Sequence, residues 1–199
     1  MKKVVIFGTG GLAKELIGYL MSDGGYEIAC AVSTEPFNNA AFAIPVVERL
    51  ENAPDGASYL MAVSEPAVKR KIVSQNADKW ASYAHRSAFV SPHTAMGRGC
   101  ILAPQALIVG DCVLGDFVFM NTNATVGHDS RIGDYSTMMP NTEVCGNVDV
   151  GEDVFIGIGA YVLSHRRIGA RAKLSAGCVV RHDVADGATV YGDPAKVRA

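Results

Sequence analysis

The stretch Ala124-Thr125-Val126-Gly127-His128-Asp129-Ser130-Arg131-Ile132-Gly133-Asp134-Tyr135 contains the pattern that decides the fold. An aliphatic residue (Val126, Ile132) returns after six positions. A small residue (Ala124, Ser130) precedes it by two, and glycine (Gly127, Gly133) follows it. Stepping by six in both directions, the aliphatic column runs from Val90 to Val180. All sixteen positions are Ile, Leu, Val or Met, with no insertion. The column two residues earlier runs from Ala88 to Cys178 and is compact throughout except at Arg166. A period of six is neither helical nor the period of a flat sheet; it marks a solenoid of identical short units. Each hexad predicts one short strand and a corner, and three make a triangular coil of eighteen residues. Aliphatics stack inside, coil on coil, at the strand-pairing distance of about 4.8 Å. The seven glycines that follow the aliphatic are expected to supply turn dihedrals that a Cβ would resist. Arg166 predicts a local bulge. Cys100, Cys112 and Cys178 fall in the inward column and are expected to be inert core thiols.

Before about residue 85 the period changes. Lys3 to Phe7 is a β-branched run that ends in Gly8-Thr9-Gly10-Gly11, after which Leu12, Glu15, Leu16, Tyr19 and Leu20 recur at helical spacing. Glu27–Val32 and Tyr59–Val63 predict two more strands. A second helix is expected between Glu65 and Lys79, capped by Ser64 with Pro66 in its first turn. Strand, glycine turn, helix, strand is the opening of a Rossmann-like α/β unit. An NAD site would want an acid after the second strand, where Val32-Ser33-Thr34 stands, so a dinucleotide is discounted.

Composition narrows the function classes. A net charge of -2 without a basic block argues against a nucleic-acid partner. No apolar run approaches a membrane span or a signal sequence, which makes a cytoplasmic protein with no membrane partner the expectation. Five scattered cysteines without a C-x-x-C exclude a disulfide framework or zinc knuckle.

The hexads resemble the left-handed β-helix of hexapeptide-repeat acyltransferases. The hand is implied by the resemblance alone, since parallel crossovers are generally right-handed. The whole chain is similar, more narrowly, to the sugar O/N-acyltransferases that include sialic acid O-acetyltransferases and nucleotide-4-amino-sugar N-acetyltransferases. Gly8-Thr9-Gly10-Gly11, Met120-Asn121-Thr122, Gly127-His128-Asp129, Cys145-Gly146-Asn147 and Gly192-Asp193-Pro194-Ala195-Lys196 carry that likeness. It implies a Rossmann-like domain over residues 1–84 that holds a nucleotide-sugar acceptor. It also implies a β-helix domain over 85–199 that forms a homotrimer, with acetyl-CoA between adjacent subunits. His128 matches the family's general base and Asp129 the carboxylate beside it; Gly146 and Ala176 match backbone positions that meet CoA. The sequence departs from the family at Leu12 and Thr137, where histidines are frequent, and in lacking acids after the second strand.

Acyl transfer to an amine or hydroxyl needs a proton acceptor that titrates near neutrality, which histidine supplies. Gly110 and Gly146 lie eighteen residues either side of His128, leaving space around its ring. Gly8, Gly10 and Gly11 can offer backbone N–H groups and a helix N-terminus to a phosphate of the acceptor. Asn121 stands where glycine is usual: either a polar contact for the acceptor or thioester, or an asparagine in a left-handed turn. Lys196 is either a contact for a CoA phosphate or a solvated tail lysine. The expected activity is acetyl-CoA-dependent N-acetylation of a nucleotide-linked 4-amino sugar, with no metal. O-acetylation of a sialic-acid-like sugar, acetylation of serine or another small molecule, and a non-catalytic nucleotide-sugar scaffold are the alternatives. A zinc lyase would need three converging histidines.

Overall fold

The computed structural model describes residues 1–32, 44–48, 56–76, 79–194 and 196–197. Ser33 and Thr34 of the second-strand motif and Ala195 of the closing motif lie outside them.

The N-terminal part contains β1 (Lys2–Phe7), α1 (Gly11–Asp23), β2 (Tyr26–Val32), β3 (Val46–Val47), β4 (Ser58–Met61) and α2 (Pro66–Ser74). The strands form one parallel sheet in the order β3-β2-β1-β4. The buried stripe of α1 is Ala13, Leu16, Ile17 and Leu20, a helical repeat of one face. Tyr19, half-buried, packs at the edge of that core as expected, whereas Glu15 is exposed and accepts from the Tyr19 hydroxyl at 3.4 Å. Gly24 ends the helix at φ 69°, its N–H donating to the Leu20 carbonyl. The cap of α2 is Glu65 rather than the expected Ser64, and the helix stops at Ser74. The Ser64 carbonyl is instead engaged by the Thr137 hydroxyl at 2.6 Å.

Among the described residues, seventeen two-residue strands follow, from β5 (Tyr83–Ala84) to β21 (Val179–Val180), then β22 (Thr189–Tyr191) and β23 (Lys196–Val197). They form three parallel sheets closed by a β22–β23 antiparallel pair. The period of eighteen sets the register: Leu114 pairs Ile132, Met120 pairs Met138 and Val126 pairs Val144. The first face presents Tyr83, Ile101, Phe119, Thr137, Phe155 and Lys173 outward; the second presents Phe89, Leu107, Thr125, Glu143, Tyr161 and Val179. The third presents Ala95, Val113, Arg131, Asp149 and Arg167. From Leu102 to Val180 the inward aliphatics are all buried. Each adds about 1.5–3 kcal/mol of hydrophobic stabilisation. The small column fits beside them, and its hydroxyls join coils. Ser130 Oγ donates to the Cys145 carbonyl (2.9 Å) and accepts from the Val148 N–H (3.1 Å). Cys100, Cys112 and Cys178 are buried, and burial pushes the Cys100 thiol up to about 11.

Two expectations about the corners are overturned. None of the seven glycines after the aliphatic has positive φ; the left-handed residues sit two places later, among them Phe117, Asn123, Asp129, Tyr135 and Asn147. The glycines are required by close approach of coils. A Cβ on Gly127 would stand 2.6 Å from the Gly146 nitrogen, and one on Gly157 2.7 Å from the Ala176 nitrogen. Nor does Arg166 mark a bulge. Its strand keeps register, Asp149 pairing Arg167 and Val150 pairing Ile168. The coil that follows is shorter: Ile168 pairs Val184 and Leu174 pairs Val190, sixteen residues on instead of eighteen. Arg166 turns outward, Nε donating to the Ser164 carbonyl and Nη1 3.9 Å from Asp183.

The α/β part docks on the first face. Tyr83, Ile101 and Phe119 join the core of Val4, Ile6, Leu16 and Leu60, while Phe117 joins that of Phe7, Tyr59 and Trp80. The Arg70 guanidinium lies over the Tyr135 ring at 4.2 Å and pairs with Asp153 (2.7 Å) and Glu152 (2.9 Å). Lys69 is wholly buried at this junction and donates to the Phe117 carbonyl (2.9 Å), the Ser136 carbonyl (3.1 Å) and Thr137 Oγ1 (2.9 Å). Burial pulls its pKa down to about 7, while three oxygen acceptors match the three donors of an ammonium.

Candidate active site

His128 occupies the corner between the second and third faces, one residue before the left-handed Asp129 (φ 59°). That bend brings the two side chains together: His128 Nδ1 is 2.7 Å from Asp129 Oδ2. A carboxylate only accepts, so Nδ1 carries the proton of the neutral ring and Nε2 keeps its lone pair. Both side chains are open to solvent, at 63% and 56% exposure. The ring lies across Gly146: a Cβ there would fall 2.6 Å from Nε2 and 2.7 Å from Cε1. On the other side, a Cβ on Gly110 would meet the His128 Cβ at 2.7 Å. Gly146→Ala is therefore expected to drive the imidazole off its seat. Activity should fall at least tenfold with little change in melting temperature, because the displaced atoms are the end of a mobile side chain. Parallel turnover and thermal-melt measurements check this.

Gly8 closes β1 at φ +115°, and a Cβ on it would meet the Ala62 carbonyl oxygen at 2.6 Å; glycine alone fits there. Gly10 and Gly11 open α1 with nothing within 4 Å of where a Cβ would be, so their backbone faces free space. Asn121 is buried, its Oδ1 accepting from the Thr122 N–H at 2.7 Å, and the left-handed residue of that corner is Asn123. The left-handed alternative for Asn121 is thereby corrected: the position after the aliphatic keeps ordinary φ. Ala176 lines a largely apolar groove of about 340 Å³ with Met139, Phe155, Ile158 and Lys173. Lys196 is exposed on β23.

These residues fall into separate places. The glycine loop belongs to the part docked on the first face, the Ala176 groove runs from the first face round the corner toward the second, and His128 sits at the corner opposite the first face. In a triangular cross-section, one chain does not bring its own His128 to its own glycine loop. Sequence reasoning missed Lys69 and the contact between Thr137 and Ser64. Lys69 stands in a Lys-Arg-Lys run that reads as a solvated helix face, and nothing local distinguishes the lysine that turns inward. Among the described residues, no three His, Cys, Asp or Glu side chains gather as a metal-ligand set, and no helix is long and apolar enough to cross a membrane.

Comparison with known proteins follows this geometry. The bacterial transferase hexapeptide (six repeats) model matches residues 147–182. Perosamine N-acetyltransferase from Caulobacter crescentus, solved as a histidine-to-asparagine variant with CoA and GDP-perosamine, is 32% identical. It superposes with a TM-score of 0.91 over 100% of this chain and 98% of that one. The acetyltransferase domain of PglB from Neisseria gonorrhoeae, in complex with acetyl coenzyme A, is 27% identical with a TM-score of 0.91 over 99% of each chain. GDP-perosamine N-acetyltransferase of Escherichia coli O157:H7 is 36% identical over 117 residues, 56% of this chain; the match spans 53% of that protein's length. The chain spans about a third of the length of the Pseudomonas UDP-N-acetylglucosamine O-acyltransferases that it also matches. With the repeats and the full-length superposition in agreement, the chain belongs to the hexapeptide-repeat sugar acyltransferases, of the nucleotide-amino-sugar acetyltransferase type.

Proposed function

We propose that this protein transfers the acetyl group of acetyl-CoA to the amine of a nucleotide-linked 4-amino sugar. The observation that carries the reading is the His128–Asp129 pair, with its Nε2 lone pair free above a glycine. The acceptor nitrogen attacks the thioester carbonyl carbon and gives its proton to Nε2. Asp129 stabilises the imidazolium, the C–S bond breaks, and the CoA thiolate leaves and takes up the proton as thiol. The CoA and GDP-perosamine bound by the Caulobacter relative support this substrate class.

The N-terminal unit works as a Rossmann-like acceptor domain: its sheet order puts the carboxyl ends of β1 and β4 beside a helix N-terminus, where α/β sheets take ligands. Gly8, Gly10, Gly11 and Asn121 serve the acceptor, while Gly146, Ala176 and Lys196 serve CoA. A homotrimer completes the site, because the glycine loop and His128 of one chain face apart. Phe89 (52% exposed), Tyr161 (43%) and Leu163 (40%) on and beside the second face suit burial against another copy. Five free cysteines, four of them buried, suit the cytoplasm.

Thiol release from acetyl-CoA with GDP-, UDP- and dTDP-linked 4-amino sugars, and with free sialic acid, tests the reading. Turnover on an amino sugar is expected; turnover on sialic acid alone would convert it to O-acetylation. Co-assembly of His128→Ala with Gly8→Val chains, each inactive alone, should restore activity, since a mixed trimer contains sites with both halves intact. Mixed trimers without activity would overturn the shared site.

A further inference from the structure

The β4–α2 loop stands against the glycine turn: a Cβ on Gly8 would fall 2.6 Å from the Ala62 carbonyl oxygen and 3.1 Å from Val63 Cγ2. Two residues on from Ala62, the Ser64 carbonyl accepts from the Thr137 hydroxyl of the β-helix at 2.6 Å. A hydroxyl that donates there must take its own hydrogen bond through a lone pair, and Lys69 supplies it at 2.9 Å. The same ammonium holds the Phe117 and Ser136 carbonyls, which belong to neighbouring coils. Lys69 sits one turn into α2, the helix that this loop opens. The loop is thus tied to the solenoid through a chain of fixed polarity: ammonium to hydroxyl to carbonyl. Its first two members, Lys69 and Thr137, are out of solvent at 0% exposure, and Ser64 is half-buried. In such a place a hydrogen bond keeps its geometry, and an unmade one is costly.

We propose that Lys69 and Thr137 are positioning residues for the acceptor: they set the β4–α2 loop against the β-helix and thereby fix the width of the crevice between that loop and Gly8. This deepens the proposed function and rests on its acceptor site. The ionic grip of Arg70 on Asp153 and Glu152 docks the far side of α2 but does not touch the loop. The hydrophobic contacts of the first face set the docking as a whole. Among the described residues, the polar relay is what ties Ser64 to the β-helix, so its loss moves the crevice wall and leaves the solenoid, with His128 and the CoA groove, in place.

The test replaces Thr137 by Val, which keeps the shape and removes the hydroxyl, and by Ser, which keeps the hydroxyl. Lys69→Arg and Lys69→Met form the second pair. In Thr137→Val the KM for the nucleotide amino sugar should rise about three- to tenfold, the worth of one buried hydrogen bond. The KM for acetyl-CoA and kcat should stay within about twofold. Thr137→Ser should restore the acceptor KM, and Lys69→Met should reproduce the Val phenotype. Hydrogen exchange of the Ser64 and Glu65 amides, read without any substrate, should quicken in Thr137→Val by a similar factor while amides near His128 do not change. Equal rises in both KM values, or loop exchange identical to wild type in Thr137→Val, would overturn the proposal. If Lys69→Met fails to fold, the Val and Ser pair decides it. If no amino sugar is turned over, the acceptor reading fails while the exchange data still judge the relay.

Discussion

His128→Ala should lower kcat by about 10²- to 10⁴-fold, the usual contribution of a positioned general base. The melting temperature should stay within about 2 °C, because the side chain projects into solvent at 63% exposure and its one ion pair is of the exposed kind worth about 0–1 kcal/mol. Acetyl-CoA should still bind, since the ring is not part of the apolar groove around Ala176. The two halves of the prediction separate chemistry from architecture: a loss of activity accompanied by a loss of fold would make His128 a structural corner residue. Retained activity at the wild-type level would remove it from the mechanism. The Gly146→Ala variant described above leaves the imidazole present and displaces it. If the seat of the ring matters as well as its proton affinity, that variant should resemble the His128 deletion in turnover.

Gly133→Ala should be the most destabilising single methyl in the β-helix, about 3 kcal/mol, at the upper end of the cost of overpacking. For a chain of this length that is a drop of about 6–12 °C in melting temperature, measured by calorimetry or circular dichroism. The added Cβ would face backbone alone: the carbonyl group of Gly151 and, at 2.5 Å, the nitrogen of Glu152. No rotamer can yield there, and moving the backbone moves a coil. The φ of Gly133 is not positive, so the cost comes from contact, not from strain in the turn. Asn121, at the equivalent place on another corner, carries a side chain without such a clash, which makes that corner the internal control. A loss below about 1 kcal/mol would mean that the spacing between coils is softer than the close approach implies.

Much of the solenoid was legible before any coordinate, for a simple reason. A hexad that repeats must place equivalent residues in equivalent surroundings, so Val126, Ile132 and Met138 all had to face inward once one of them did. Register followed from the same period, and the thiols in the small column had to be buried. The corners were legible only in part. Their composition was visible, but the assignment of a job to each residue was wrong by two places: the left-handed turn belongs to Asp129, Tyr135 and Asn147, whereas Gly127 and Gly133 answer to the coil above. Both errors concern a contact between residues eighteen or nineteen apart, and local preferences carry no trace of such a contact. Arg166 illustrates the same point, since its outward turn is followed by a coil shortened to sixteen residues.

The candidate site divides in the same way. His128 and the two glycines around the ring could be placed by counting, because they belong to one column of the repeat, and Asp129 stands in the next column. The helix boundary at Glu65 could not. Ser64 has the right chemistry for a cap, yet its carbonyl was taken by Thr137, a partner 73 residues away. Lys69 was illegible altogether. A lysine between a valine and an arginine reads as surface, and only the docking of α2 on the first face encloses it.

By itself, the sequence determined the solenoid, its register, the inward core and the corner on which His128 stands, because a strict repeat turns one-dimensional spacing into three-dimensional neighbours. Tertiary structure alone decided which glycines are demanded by packing, where the α/β unit sits and how its loop is tied down. It also decided that the glycine loop and His128 of one chain point to different sides. Those features depend on contacts across the repeat or outside it, and hydrogen-bond partners chosen by docking leave no period to read.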